Sequence, residues 1–360
     1  MLDLPFDASR LLHNAWQSVE VPGGLCTRRG PLDYVGCVTA ISGTLFFKDA
    51  HTPAVREAIS DCFDEYVFRA SPEFTWLFRE DPPEGSTGQA PFEGSAQLTK
   101  MLEALEPNNP VSFHYTSGKK ERDAGPWEFH VIGQPAWRAA TGRWGLCGLR
   151  FSVPLSFVNQ YPDAFRDLFV RCAQHLRATH GYAGHSLVLS PLRYEENQTF
   201  ETVVASKFRG FDAGGLVAGA ASAHLGIKSV GWLTAINSSY LEKLRVDLSE
   251  VLPEQWFGIH DYDAGVVIQA GPWPEAAPVD EPLPARLVLP DMLLQPLRTP
   301  QPRLHYASAD PSELRLIGPA ATQWIARLDV PVEQLAEYRA RLLDEPKLPE
   351  PPPPPIKLGF

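Results

Sequence analysis

Gly184-His185-Ser186-Leu187-Val188 sets a serine beside a histidine and two residues after a glycine. A nucleophilic serine on a sharp strand-to-helix turn begins this way, but it needs a second glycine two residues later so that strand and helix can approach closely. Val188 stands there, so Ser186 reads as the start of a buried strand. His175, His180 and His185 recur every five residues. On a helix that step turns each ring by about 500°, so the three share no face. Gly181 also interrupts them, and they read as surface or cap histidines. Ser117-Gly118-Lys119-Lys120 contains Gly-Lys without the earlier glycine, or the hydroxyl residue after the lysine, that a phosphate loop requires. Glu345-Pro346-Lys347, beside Asp344, has the Glu-x-Lys spacing of magnesium-dependent nucleases. Its central proline bars it from an inner strand, and it reads as an exposed charge cluster. The sequence thus offers no catalytic residue, no cofactor motif and no metal-ligand set.

Charge is the remaining chemistry. Asp61, Asp64, Glu65, Glu73, Glu80, Asp81 and Glu84 face only Arg69 and Arg79 within one stretch. Glu242, Asp247, Glu250, Glu254, Asp261 and Asp263 face only Lys243 and Arg245 within another. Each is either a solvated surface or a contact face for a basic partner, where it would raise the association rate and fix orientation. The whole chain of 360 residues carries a net charge of −11, which removes the basic footprint of a nucleic-acid binder. No stretch has the length and apolarity of a membrane span, and the N-terminus lacks the pattern of a secretion signal. Five scattered cysteines without a Cys-x-x-Cys pair suit reduced thiols in a cytoplasm.

Periodicity predicts the elements that hold these residues. Thr52-Pro53 opens an amphipathic helix over 53–69, with Val55, Ile59, Cys62, Phe63 and Tyr66 on one side. A second helix runs over 162–176, with Phe165, Leu168, Phe169 and Cys172 on its apolar face. Further helices are expected over 96–105, 199–208, 239–244, 318–328 and 332–343. Strands are expected within 34–48 and over 74–78, 111–115, 127–132, 144–153, 186–189 and 231–236. Residues 256–260 and 265–269 form a hairpin around an acidic tip. Gly214–Gly219 reads as a flexible small-residue stretch, and 285–297 as a strand leading into a loop. The expected class is α+β, with antiparallel-rich sheets and helices packed on them. Residues 1–33 form an N-terminal arm and 34–345 the body, with a lobe boundary near 180–195. Residues 346–360, with five consecutive prolines, form a disordered or polyproline tail.

Eight segments, in order, carry a family resemblance. They begin with Phe46-Phe47-Lys48-Asp49-Ala50-His51-Thr52-Pro53, Tyr115-Thr116-Ser117-Gly118 and Asp123-Ala124-Gly125-Pro126-Trp127-Glu128-Phe129. Leu149–Leu155, His180–Gly184, Val230–Asn237, Tyr262–Gly271 and Leu289–Leu294 follow. Together they resemble the type VI secretion immunity proteins paired with VRR-Nuc nuclease effectors. The resemblance implies a cytoplasmic antitoxin that binds a cognate VRR-Nuc-type effector and blocks it. The expected mode is stoichiometric inhibition without catalysis, by occlusion of the effector's DNA-binding face. It supplies no residue-level site. The interface expected from charge comprises Asp61, Asp64, Glu65, Glu80, Asp81, Glu84, Glu242, Asp247, Glu250, Glu254, Asp261 and Asp263. No nucleic acid, membrane or cofactor is expected as a partner, and a homodimer is left open. The competing readings are an enzyme of unknown reaction and an adaptor of the secretion apparatus.

Overall fold

The structure, a computed structural model, describes residues 34–70, 72–80, 82, 88–142, 145–308, 310 and 313–350. The expected N-terminal arm, Asp81, Glu84 and the proline run from 351 lie outside them. The strands are β1 (Cys37–Phe47), β2 (Trp76–Arg79), β3 (Gln89–Pro91), β4 (Val111–Thr116), β5 (Glu128–Gly133), β6 (Cys147–Val153), β7 (His180–Leu189), β8 (Leu233–Asn237), β9 (Phe257–Asp261) and β10 (Gly265–Ala270). They form a single ten-stranded sheet in the order β3-β2-β4-β5-β6-β1-β7-β8-β10-β9. Every strand pair in it is antiparallel, so the fold is α+β.

Four helices cover one face of the sheet: α1 (Pro53–Ala70), α2 (Leu98–Glu103), α4 (Leu155–Gln160) and α5 (Pro162–His175), with α3 (Ala136–Ala139) in a connection. Thr52 accepts the Val55 amide through its hydroxyl (3.4 Å) and starts α1, as its sequence predicts. The chain is apolar at alternate strand positions, so Phe113 and Tyr115, Phe129 and Val131, and Leu149, Phe151 and Val153 all point beneath these helices. Ile59, Phe63 and Tyr66 of α1 and Phe165, Leu168 and Phe169 of α5 close this core. Gly43, in the middle of β1, makes the close approach of α5 feasible. A Cβ there would lie 2.8 Å from the rings of both Phe151 and Phe169. Gly43→Ala should therefore destabilise the fold by about 1–3 kcal/mol, read as a lower urea midpoint. An unchanged midpoint would show that the two rings have room to move.

The opposite face is covered by α6 (Tyr194–Ala205) and α7 (Leu216–Ser222). The far end of the sheet is covered by α8 (Ser238–Leu244), α9 (Leu248–Val251), α10 (Ala285–Leu294) and α12 (Leu335–Arg341), while α11 (Gly318–Ile325) packs near α6. Three sequence expectations are corrected here. The small residues of 214–219 lead into α7 rather than forming a flexible stretch. They permit contact: Leu216 lies over Gly148, and Gly219 faces the Phe46 ring. The 285–297 stretch begins as helix α10, not as a strand. Leu287, Val288 and Leu289 are all buried, so the run is apolar on every side and shows no helical period. Glu345 settles the choice by accepting the amides of Ala285 and of Arg286 (3.0 Å) at the helix start. Glu345 is accordingly a half-buried helix cap, not an exposed charge. Just beyond it, Leu348 donates its amide to Gln255 (2.9 Å), which holds 346–350 on the body.

Candidate functional site

Because facing residues of paired strands share a face, β4, β5, β6, β1 and β7 align His114, His130, Arg150, Thr44 and Tyr182 in one row across the sheet. The adjacent row is Thr116, Glu128, Ser152 and Ser42. These are the strand positions that alternate with the core residues. The face under α6 therefore carries a polar strip where the other face is aromatic.

Glu128 anchors the strip. It is 5% exposed and joins His114 Nε2 (2.8 Å) through Oε1, while Oε2 lies 3.4 Å from Arg150 Nε. The Arg150 guanidinium also donates to the carbonyls of Leu187 (3.0 Å) and Gly214 (3.2 Å) and to the Ser42 hydroxyl (3.3 Å). Burial alone would raise the Glu128 carboxyl, but the His114 hydrogen bond and the charge of Arg150 hold it down at about 2. Burial, reinforced by His114, pushes His130 down to about 3, against the pull of Glu128. Burial opposes the Arg150 charge, yet Glu128, Asp212 and Glu201 raise its pKa. The rings of His114 and His130 stack at 4.3 Å. One ligand atom from each of His114, Glu128 and His130 lies within 4.8 Å of the others, so these three could hold a metal ion.

A cavity of about 240 Å³ opens above this group, lined among others by Tyr194, Glu195, Glu201 and Tyr306. Glu201 is fixed from behind by His305 (2.7 Å). His305 Nδ1 accepts the Leu316 amide (3.1 Å), so Nε2 must carry the proton and donate to the carboxylate. Strand periodicity held a signal for this site. Glu128 and His130 are two residues apart in an expected strand, hence on one face, and His114 lies in another expected strand. Nothing local shows that the two strands are neighbours.

The acidic residues read from sequence separate into groups. Asp61 and Asp64 are exposed on α1, and Glu65 is partly covered there. Arg171 of α5 binds Glu65, and His175 lies 3.0 Å from Glu65 and 3.6 Å from Asp61. The next residue back, Gln174, donates to Asp263 (3.1 Å), in the exposed turn between β9 and β10. The end of α5 thus joins acids that are some two hundred positions apart in the chain. Asp261 is exposed on β9, beside that turn. Glu242 is exposed on α8, and Glu250 and Glu254 are exposed on α9 and just after it. Asp247 has a structural task, capping α9 through the Ser249 amide (2.9 Å). Glu80 follows β2 near the other edge of the sheet and does not join the group at α5. Sequence patterning did not single out Phe68 of α1, which is 85% exposed. It continues the exposed stripe of Glu57, Asp61 and Asp64 at helical spacing.

The histidines at five-residue spacing divide as well. His175 ends α5, whereas His180 and His185 lie buried in β7, not on a helix or at the surface. Ser186 is buried in the same strand, and its hydroxyl is hydrogen-bonded to that of Ser42 (2.6 Å) on the neighbouring strand. Cys37, Cys62, Cys147 and Cys172 are buried, and none of them is in a disulfide. No helix among the described residues is long and apolar enough to cross a membrane.

Residues 58–328 match the family model TsiV, described as type VI immunity for VRR-NUC. Among solved structures the chain is similar to the Pseudomonas aeruginosa T6SS protein PA0821. The TM-score is 0.87 and the identity 38%, over 96% of this chain and 97% of that one. No curated protein matches it.

Proposed function

Because the chain belongs to the TsiV family, type VI immunity for VRR-NUC, we propose that it acts in the cytoplasm by binding its cognate VRR-Nuc-type effector. It covers the DNA-binding face of that nuclease and catalyses nothing itself. A nuclease must offer positive charge to DNA phosphates, and an inhibitor of net charge −11 complements that surface. The observation that carries the reading is the convergence at α5. His175 and Gln174 draw Asp61 and Asp263 to one end of one helix, with Asp64 and Asp261 exposed nearby in the chain. Phe68 supplies an apolar anchor on the same α1 stripe.

Acids and anchor should leave different kinetic signatures. Replacing Asp61, Asp64, Asp261 and Asp263 together with asparagine should slow association with the nuclease about tenfold or more, and flatten its dependence on salt. Phe68→Ala should instead speed dissociation, at a cost of about 2 kcal/mol or more. Co-expression with the nuclease encoded beside its gene, scored for survival and co-purification, tests the reading itself. Rescue without a complex would overturn inhibition by binding. A complex with unaltered kinetics in both variants would move the interface elsewhere.

A further inference from the structure

We propose that His114, Glu128 and His130 form a binding site for a first-row transition-metal dication such as Zn²⁺, with its open coordination positions facing the cavity under α6. The inference is independent of the immunity reading and of the acidic surface.

The donor set is two imidazoles and one carboxylate. That combination suits zinc and the neighbouring transition metals. It lacks the oxygen cage that Ca²⁺ or Mg²⁺ requires and the thiolates that select Cu(I). Three strand positions impose the arrangement: His114 and His130 face each other across β4 and β5, and Glu128 lies two residues before His130 on the same face. Rigid elements position ligands better than loops do. The three ligand atoms already lie within 4.8 Å of one another. Ligands about 2.1 Å from one zinc ion lie roughly 3–4 Å apart, so small side-chain rotations complete the site.

Two features point to a ligand rather than to a finished structural cluster. Glu128 Oε2 is buried and accepts no hydrogen bond from the described residues, with Arg150 Nε standing off at 3.4 Å. The His130 ring is stacked on His114, and its nitrogens are hydrogen-bonded to no described residue. The strip therefore holds polar atoms that are only partly paired, beside a cavity large enough for a metal and its water. The charge of Arg150 opposes a dication, but Glu128, Glu195 and Glu201 stand against it along the cavity wall. Arg150 is itself held by two carbonyls and a hydroxyl, so it can keep its place when Glu128 turns to a metal.

The test uses the full chain, stripped with a chelator and titrated with Co²⁺. Wild type should take up about one equivalent with visible absorption of a low-coordinate nitrogen–oxygen site, and Zn²⁺ should displace it. His130→Gln, which disturbs no ion pair, should weaken uptake about tenfold or more, and His114→Gln should do the same. Absence of uptake at millimolar Co²⁺ would overturn the proposal. Uptake unchanged in both variants would also overturn it, and would place the ion at another histidine, such as His175 beside Asp61 and Glu65. Should the variants not fold, histidine ring-nitrogen NMR of the wild-type chain decides. Zn²⁺ must shift the His114 and His130 rings, and shifts confined to other histidines refute the site.

Discussion

Arg150→Met should destabilise the protein by about 3–5 kcal/mol, because it leaves a buried carboxylate without its cation. Arg150 is 7% exposed and Glu128 5%. The methionine would fill much of the space but would strand Glu128. It would also remove donors from the carbonyls of Gly214 and Leu187, which tie β6 to the start of α7 and to β7. The loss should appear as a shift in urea midpoint at unchanged slope. The exposed pair Arg171–Glu65 supplies the contrast. Its side chains are 42% and 25% accessible, and Arg171→Met should cost under about 1 kcal/mol. Adding Glu128→Gln to Arg150→Met should recover part of the loss, since the stranded charge is then gone. Equal costs for the buried and exposed arginines would mean that the sheet's polar strip is wet and screened.

That strip was the least legible part of the chain, and the reason is its range. The strands carrying His114, Glu128, His130 and Arg150 could all be placed as short apolar runs bounded by turn residues, and they contributed to the expected α+β class with its antiparallel-rich sheets. Which strand lies beside which depends on contacts between distant residues, and local pattern carries no trace of that. The acidic stretches were plain as charge, but their convergence on Gln174 and His175 belongs to the packing of α1, α5 and the β9–β10 turn. The helices α1 and α5 announced themselves because each has one buried face. Helix α10 did not, because a helix buried on all sides has no period to read.

Several residues of the segments that carry the family resemblance hold turns and connections in place. Asp123 accepts the amides of Val35 (3.0 Å) and Lys120 (3.0 Å) and so shapes the β4–β5 connection. A Cβ on Gly118 would lie 2.0 Å from the Asp123 carbonyl oxygen, and one on Gly125 would lie 2.3 Å from the Ser117 hydroxyl. In the β9–β10 turn Tyr262 donates to the Ala178 carbonyl (2.9 Å), Asp263 adopts φ of 61°, and Gly265 packs against the Ile236 carbonyl. Such residues fix the scaffold, whereas specificity for one effector would rest on exposed positions such as Asp61, Asp64 and Phe68.

His180 and His185 should together withdraw about 4 kcal/mol of stability between pH 7.5 and pH 5. His130, held at about 3, withdraws more over the same range, while Asp291, raised to about 6 by burial, restores part of it. The rings of His180 and His185 are buried in β7, at 1% and 8% exposure. Burial pushes each from 6.5 down to about 4, although the Ala223 carbonyl in one case and the Pro274 backbone in the other favour the charged form. Each ring also keeps one nitrogen without a hydrogen bond among the described residues, Nδ1 of His180 and Nε2 of His185. Between about pH 6.5 and 4 the unfolded chain takes up these protons and the native chain does not. The stabilisation is therefore complete above about pH 6.5 and is lost as pH falls towards 4. A tenfold rise in acid strength is worth about 1.4 kcal/mol, so each ring accounts for roughly 2 kcal/mol by pH 5 and about 3 by pH 4. Glu128, held at about 2 against an ordinary 4.5, adds a further loss only below pH 4.5. Urea unfolding at pH 7.5, 6 and 5 would trace the decline, and His185→Asn should remove about 2 kcal/mol of it. A flat profile down to pH 5 would mean that water reaches both rings, and that β7 is not sealed between α6 and α7 on one side and the aromatic core on the other.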